Sequence, residues 1–249
     1  MDQPVVLLVE DDPSVARFVS MALEILPVAV EVCPCVESAL AWLQGHRAAL
    51  IITDLMLPGE SGMGLLRRLQ AEPALAAGAR IVVLSAGLDH AVRQELAASG
   101  AWRALDKPVA VAALEQCVRE ALADPLAPPG PAVPTPSASP VPGVRESGTP
   151  DAEAAAIQEY FGGDAFLFRA YRDACLSQFG RDAAEGDRAL QSSDLAALRR
   201  LCHSLASVLR TLGRTDDGAL AREVELAARD GRAEAAQASW KALRVRLGD

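Results

Sequence analysis

Proline is concentrated where it most restricts folding: nine of the 16 prolines fall between Pro125 and Pro150. A residue without a backbone N–H cannot enter a helix interior or a central strand without losing a hydrogen bond. The rest of the stretch is mostly Ala, Ser, Gly and Val, too poor in large apolar side chains to bury a core. Residues 124–150 are therefore expected to form a flexible linker, and the 249-residue chain to fold as two units, 1–123 and 151–249. The linker spans between roughly 30 Å as a coil and about 80 Å when extended, so its reach permits either docking or separation of its two ends.

With 51% hydrophobic and 23% charged residues, both flanks can bury cores. The net charge of −9 and the lack of any Lys/Arg-rich run argue against a nucleic-acid partner. The apolar run Val5 to Val9 is too short for a signal peptide or a membrane span, so a soluble, cytoplasmic protein with no membrane partner is expected. Five cysteines (Cys33, Cys35, Cys117, Cys175, Cys202) are odd in number and lie in apolar patterns, which favours buried reduced thiols over disulfides. Cys33-Pro34-Cys35 has no second ligand pair with which to complete a metal site.

In the first flank, short apolar runs alternate with helical patterns, the signature of a parallel sheet covered on both faces. Strands are expected near Val5 to Val9, Val28 to Cys33, Leu50 to Asp54, Arg80 to Leu84 and Ala101 to Leu105. Helices are expected at about Ser14 to Leu26, Glu37 to Gln44, Gly62 to Ala71, Asp89 to Ser99 and Val111 to Ala123. The fold class is α/β plus all-α: a doubly wound five-stranded parallel sheet, then an antiparallel helical bundle. In that second flank, helical periods of Ala, Leu, Arg and Glu break at Gly163, Ser193, Gly213 and Gly231.

Open parallel sheets bind ligands beyond the carboxyl ends of their strands. The residues expected there are Glu10-Asp11-Asp12, Asp54, Ser85 and Asp106-Lys107-Pro108. Converging carboxylates repel one another unless a cation compensates them. Mg²⁺, which takes one or two carboxylates plus waters and phosphate oxygens, fits best. It would offset charge while an Asp54 oxygen attacks a phosphoryl donor, with Lys107 and Ser85 contacting the phosphoryl oxygens. Taken singly, each residue has an ordinary architectural role, since acids cap helices and Lys-Pro starts them; their coincidence at four strand ends is what carries weight. An aspartate-nucleophile hydrolase would need a second acid just after the nucleophile, and Asp54-Leu55-Met56 offers none.

Residues 1 to about 123 resemble a response-regulator receiver domain, which has a flavodoxin-like fold. The resemblance rests on Leu7-Leu8-Val9-Glu10-Asp11-Asp12-Pro13, on Asp54-Leu55-Met56-Leu57-Pro58-Gly59-Glu60-Ser61-Gly62, on Ser85-Ala86 and on Leu105-Asp106-Lys107-Pro108. It implies Asp54 as phosphoacceptor, Asp11 and Asp54 as side-chain Mg²⁺ ligands, Glu10 acting through water, and the Met56 backbone carbonyl completing the set. It also implies that Ser85 moves on phosphorylation and that the Lys107-Pro108 bond is cis. The family usually places an aromatic residue three before the lysine; here Ala104 stands there, so receiver phosphorylation is expected to be structurally quieter than usual. Trp102, on the same side of its strand, is a candidate substitute, with exposed packing as the plainer alternative.

On the helix from about Asp194 to Leu212, Leu198, Leu201, Cys202, Leu205, Leu209 and Leu212 form one apolar stripe. His203 lies off it, roughly 140° from Leu198, which predicts a solvent-facing imidazole among Arg199, Arg200, Ser207 and Arg210. From about Asp151 onward the chain resembles a histidine-phosphotransfer (HPt) four-helix bundle. The matching residues are Cys202-His203-Ser204-Leu205 with Leu212-Gly213, then Leu220-Ala221-Arg222-Glu223-Val224-Glu225 and Ala228-Arg229-Asp230-Gly231. Here Ala206 and Ser207 stand where that family often has Lys and Gly, and Arg199 or Arg210 are the candidates to compensate.

The resemblances imply a phosphorelay protein that accepts a phosphoryl group on Asp54 and carries or exchanges it through His203. Its expected partners are a sensor histidine kinase or phosphorylated relay protein, and other receiver domains docking at His203. No ATP-binding kinase segment is evident, so the expectation is a phosphoryl carrier rather than an enzyme. The alternative is a phosphorylation-controlled interaction module whose helical unit only docks a partner.

Overall fold

A computed structural model of the protein describes residues 3–123 and 150–248. The chain divides into two compact units, Met1–Ser137 and Ala138–Asp249. The linker expected at 124–150 lies outside the described residues, apart from Pro150, which opens a helix.

The first unit alternates strand and helix: β1 (Val5–Val9), α1 (Pro13–Leu23), β2 (Ala29–Cys33), α2 (Val36–Gly45), β3 (Leu50–Asp54), α3 (Gly62–Ala71), α4 (Pro73–Ala76), β4 (Arg80–Ser85), α5 (His90–Ala98), β5 (Arg103–Asp106) and α6 (Val111–Ala123). The five strands are parallel, in the order β2-β1-β3-β4-β5. Every residue of β3 and β4 is buried, as is β1 from Val6 onward, which is why these strands read as continuous apolar runs. The edge strand β2 is mostly exposed. The direction of winding reverses between β1 and β3, whose residues Val9 and Thr53 are paired, so Glu10 and Asp54 leave the sheet side by side at the crevice where such folds bind ligands.

Several element ends shift by one to three residues from the sequence reading, most at α1, and one short helix, α4, was not expected. Helix α1 stops at Leu23 instead of Leu26, because Pro27 bars the helical conformation just before it and Leu26 folds back in a turn. The short α4, begun by Pro73, carried too few residues to show a period.

The second unit contains α7 (Pro150–Phe161), α8 (Ala165–Gln191), α9 (Leu195–Thr211), α10 (Thr215–Arg229) and α11 (Ala233–Leu247). The chain turns through left-handed residues at Gly163, Ser193, Gly213 and Gly231, the four breaks expected from the sequence. Asp164 and Asp194 cap α8 and α9 with their side chains. Short turns make successive helices antiparallel. Helices α8, α9, α10 and α11 pack in a closed ring, and α7 lies against α8 and α9 as a fifth helix.

Gly186 is a condition of this packing: a Cβ there would meet the Trp240 ring at 2.0 Å. Helix α9 is buried at every position from Leu201 to Leu209. Among the described residues no helix is long and apolar enough to cross a membrane.

Candidate functional site

Four of the five strand ends of the first unit each deliver one part of an acidic pocket. Glu10 and Asp11 follow β1, Asp54 ends β3, Ser85 ends β4 and Lys107 follows β5. Ligand oxygens of Glu10, Asp11 and Asp54 all lie within 4.8 Å of one another. Lys107 Nζ donates to Glu10 Oε2 at 2.7 Å and to Asp54 Oδ2 at 2.9 Å, and all three side chains are buried. Ser85 is buried one position beyond Leu84, the register partner of Asp54, and its carbonyl accepts from Lys107 N at 3.0 Å. Met56 lies in the bend that follows β3. The Lys107-Pro108 bond is cis.

Asp12 has a different task. Its Oδ1 accepts from Ser14 N at 2.8 Å and Val15 N at 2.9 Å, so it caps α1 and leaves Glu10 and Asp11 to the pocket. Gly62 closes the pocket floor: its N–H donates to Leu55 O at 3.1 Å, and a Cβ there would meet Asp54 O at 1.9 Å.

The pocket is short of positive charge. With all three acids ionised, three carboxylates against one ammonium would leave two negative charges, the deficit that one divalent cation would cancel. Burial, opposed by Lys107 and reinforced by Asp54, pushes Glu10 up to about 8. Burial and the neighbouring Asp54 push Asp11 up to about 6. Burial works against the charge of Lys107, but Asp54 and Glu10 more than offset it and hold the ammonium protonated well above its usual range. Asp11 Oδ1 is buried and has no hydrogen-bond partner among the described residues. An orphaned carboxylate oxygen between two other hard oxygen donors fits Mg²⁺.

Ala104 lies on β5 within the apolar cluster that also contains Leu88, Val92 and Leu96. Trp102 does not take over its place. It is held between the guanidinium groups of Arg80 and Arg103, 4.5 and 4.4 Å from its ring centre, where β4 and β5 begin. That is the opposite end of the strands from the pocket, about 13 Å from Asp106 at the rise of a strand.

His203 corrects the expectation of an exposed imidazole, for it is only 2% exposed. The helical wheel located one apolar stripe, but α9 has neighbours on several sides. Gly218 of α10 sits against Ala206 and Arg210, and seven residues on, Glu225 faces His203, seven residues back along antiparallel α9. The absence of a side chain at Gly218 lets α10 lie close over the face assigned to solvent. Ser207 is buried with it, Arg199 and Arg210 are half-buried, and Arg210 is engaged by Tyr160 of α7.

His203 Nδ1 is 3.0 Å from Glu225 Oε1, and Arg222 bonds the other carboxylate oxygen. Burial acts to raise the Glu225 pKa, but His203 and Arg222 outweigh it and hold the carboxyl below its usual range. Nε2 is buried without a hydrogen-bond partner among the described residues, and in the tautomer that donates Nδ1–H to Glu225 it is the nitrogen that carries the lone pair. Glu225 and Arg222 lie in the Leu220–Glu225 stretch that resembles the HPt bundle, but the sequence pattern assigned them no role; a carboxylate and an arginine three apart also describe an ordinary surface pair.

Residues 6–119 match the response regulator receiver domain family. These residues are a response regulator receiver domain. The first unit is thus a phosphoryl-accepting module of two-component signalling. Among solved structures, the receiver is similar to the chemotaxis response regulator CheY4 of Vibrio cholerae, at 27% identity and a TM-score of 0.45, over 48% of this chain and 99% of that one. It is also similar to the signal receiver domain of a signal transduction histidine kinase from Syntrophus aciditrophicus, at 27% identity and a TM-score of 0.45, over 48% and 90% of the two chains. The virulence sensor protein BvgS of Bordetella pertussis is 29% identical over 216 residues, covering 83% of this chain and 17% of that protein. The residues before the helical unit make up 149 of 249, so a match of that length continues from the receiver into the helical unit.

Proposed function

We propose that the chain is a phosphoryl carrier with two acceptor residues, Asp54 in the receiver and His203 in an HPt-like helical unit, working between a sensor histidine kinase or phosphorylated relay protein and other receivers. The observation that carries the reading is the pocket itself, with Asp54 bonded to Lys107 beside an orphaned Asp11 oxygen. Asp11, Asp54 and the Met56 carbonyl would hold Mg²⁺, with Glu10 acting through water. When bound, the ion neutralises the carboxylates and the charge of the transferring group.

An Asp54 oxygen attacks the phosphorus of a phosphohistidine or a small acyl phosphate. The new P–O bond forms as the bond to the leaving nitrogen or oxygen breaks, and the leaving group takes the electron pair. Lys107 exchanges its bond to Asp54 for one to a phosphoryl oxygen, and Ser85 supplies a hydroxyl from the neighbouring strand. At the second acceptor, Glu225 holds the imidazole by Nδ1 and leaves Nε2 as the nucleophile.

The burial of His203 favours a second reading, in which the helical unit docks a partner and transfers nothing. Incubating the 249-residue chain with a phosphorylated receiver separates the two. Acid-labile phosphate that appears on the wild type and is lost in His203→Gln supports the two-acceptor reading. Binding without any such phosphate supports docking alone.

A further inference from the structure

Helix α5 sends one side chain back across the rim of the acid pocket. Arg93 Nε donates to Leu88 O at 3.2 Å, Nη1 donates to Ala104 O at 3.2 Å, and Nη2 bonds the Asp106 carboxylate. One planar fork therefore joins two segments that leave the pocket separately. Leu88 lies in the loop from Ser85 to α5, and Asp106 directly precedes Lys107.

Asp54 and Leu84 are register partners, and Asp106 pairs with Ser85. A phosphoryl group on Asp54 adds three acceptor oxygens just beyond the strand ends, within reach of both Ser85 and Lys107. Hydrogen bonds to that group draw the start of the Ser85–Leu88 loop and the end of β5 toward Asp54, and both anchors of the arginine are attached to those two segments. The Arg93 and Asp106 side chains are 40% and 35% exposed, so the pair is weak enough to be broken by such a pull.

We propose that Arg93 is a strap that holds the receiver in its unphosphorylated arrangement and is released when Asp54 carries a phosphoryl group. It would do so at the strand position, Ala104, where no large side chain is available to respond. The inference rests on Asp54 being the acceptor. The strap binds one arrangement and not the other, so it lowers the affinity for any ligand that requires release. Removing it must tighten such a ligand.

The test is a beryllofluoride titration of the 249-residue chain with Mg²⁺, comparing wild type, Arg93→Ala and Arg93→Lys. Lysine keeps the charge and loses the three-way fork. Both variants are expected to bind the mimic about fivefold more tightly than wild type, a modest coupling between sites. As a second readout, backbone amides of residues 86–89 in the unliganded variants are expected to exchange hydrogen as fast as in mimic-bound wild type. This registers the strap even if one variant is destabilised. Equal or weaker binding, with loop exchange unchanged, overturns the strap while leaving the acceptor pocket standing. Absence of binding in the wild type overturns the acceptor assignment, and the strap with it.

Discussion

Replacing Gly62 with alanine adds one methyl group where the receiver has no room for it. The new Cβ would meet Asp54 O at 1.9 Å, Asp54 C at 2.9 Å and Leu55 Cα at 3.1 Å. All three atoms are backbone, so no side chain can rotate aside. A comfortable carbon–oxygen contact is about 3.3 Å, so the start of α3 and the end of β3 must separate by about 1.4 Å. Overpacking of this kind costs about 1–3 kcal/mol, and the better helix propensity of alanine returns at most ~1 kcal/mol. The functional cost is larger, because a displacement of about 1 Å at a reacting group lowers its rate on the order of 100-fold. Gly45→Ala is the control, since a Cβ there meets nothing within 4 Å. Urea unfolding followed by peptide-resolved hydrogen exchange should show a lower free energy for β1 and β3 in Gly62→Ala, with little change in Gly45→Ala. Asp54 labelling by a small acyl phosphate should fall steeply in the first variant alone. Unchanged stability and unchanged labelling in Gly62→Ala would refute the close approach of α3 to Asp54.

In the helical unit, Gly186→Ala drives a methyl group into the Trp240 ring, at 2.0 Å, and should destabilise the bundle by about 1–3 kcal/mol in urea. Gly180→Ala, where a Cβ meets nothing within 4 Å, should stabilise it by about 0.5–1 kcal/mol; equal effects would contradict the packing around α11. The histidine-modifying reagent diethyl pyrocarbonate should react with exposed His46 and His90 at least about tenfold faster than with His203, and comparable rates would mean that α10 does not cover the imidazole. Because the folded pKa of Glu225 lies below its ordinary 4.5, its interactions stabilise the bundle fully above that value and are lost as pH falls through the depressed folded value. The stability gap between wild type and Glu225→Gln should therefore narrow as pH falls below the ordinary 4.5, and a gap that stays constant would argue against the ion pair.

The receiver was largely legible because its signals are local. Continuous apolar runs can lie only in doubly covered strands, and the acids at Glu10, Asp11 and Asp54 fall at strand ends whose convergence follows from the topology. The breaks at Gly163, Ser193, Gly213 and Gly231 were legible for the same reason, since each needs a left-handed residue or a small one. His203 was misread because a helical wheel assumes one buried stripe, whereas burial of α9 depends on what lies opposite each face, and that follows from Gly218 on another helix. The Arg93 contacts were invisible because they join α5 to backbone carbonyls, which leave no pattern in side-chain spacing. Asp12 looked like a member of the acid cluster, and only the hydrogen bonds to Ser14 and Val15 show that it serves the helix.

The most direct test of the central claim, that the acidic pocket accepts a phosphoryl group on Asp54, is made at the pocket itself. The 249-residue chain is incubated with a small acyl phosphate, with and without Mg²⁺, and the phosphoryl group is located by borohydride trapping of the acyl phosphate and peptide mass analysis. One Mg²⁺-dependent phosphoryl group on Asp54, absent from Asp54→Asn, is the predicted result. Labelling that persists undiminished in the receiver of Asp54→Asn, or that proceeds equally well without Mg²⁺, would contradict the account.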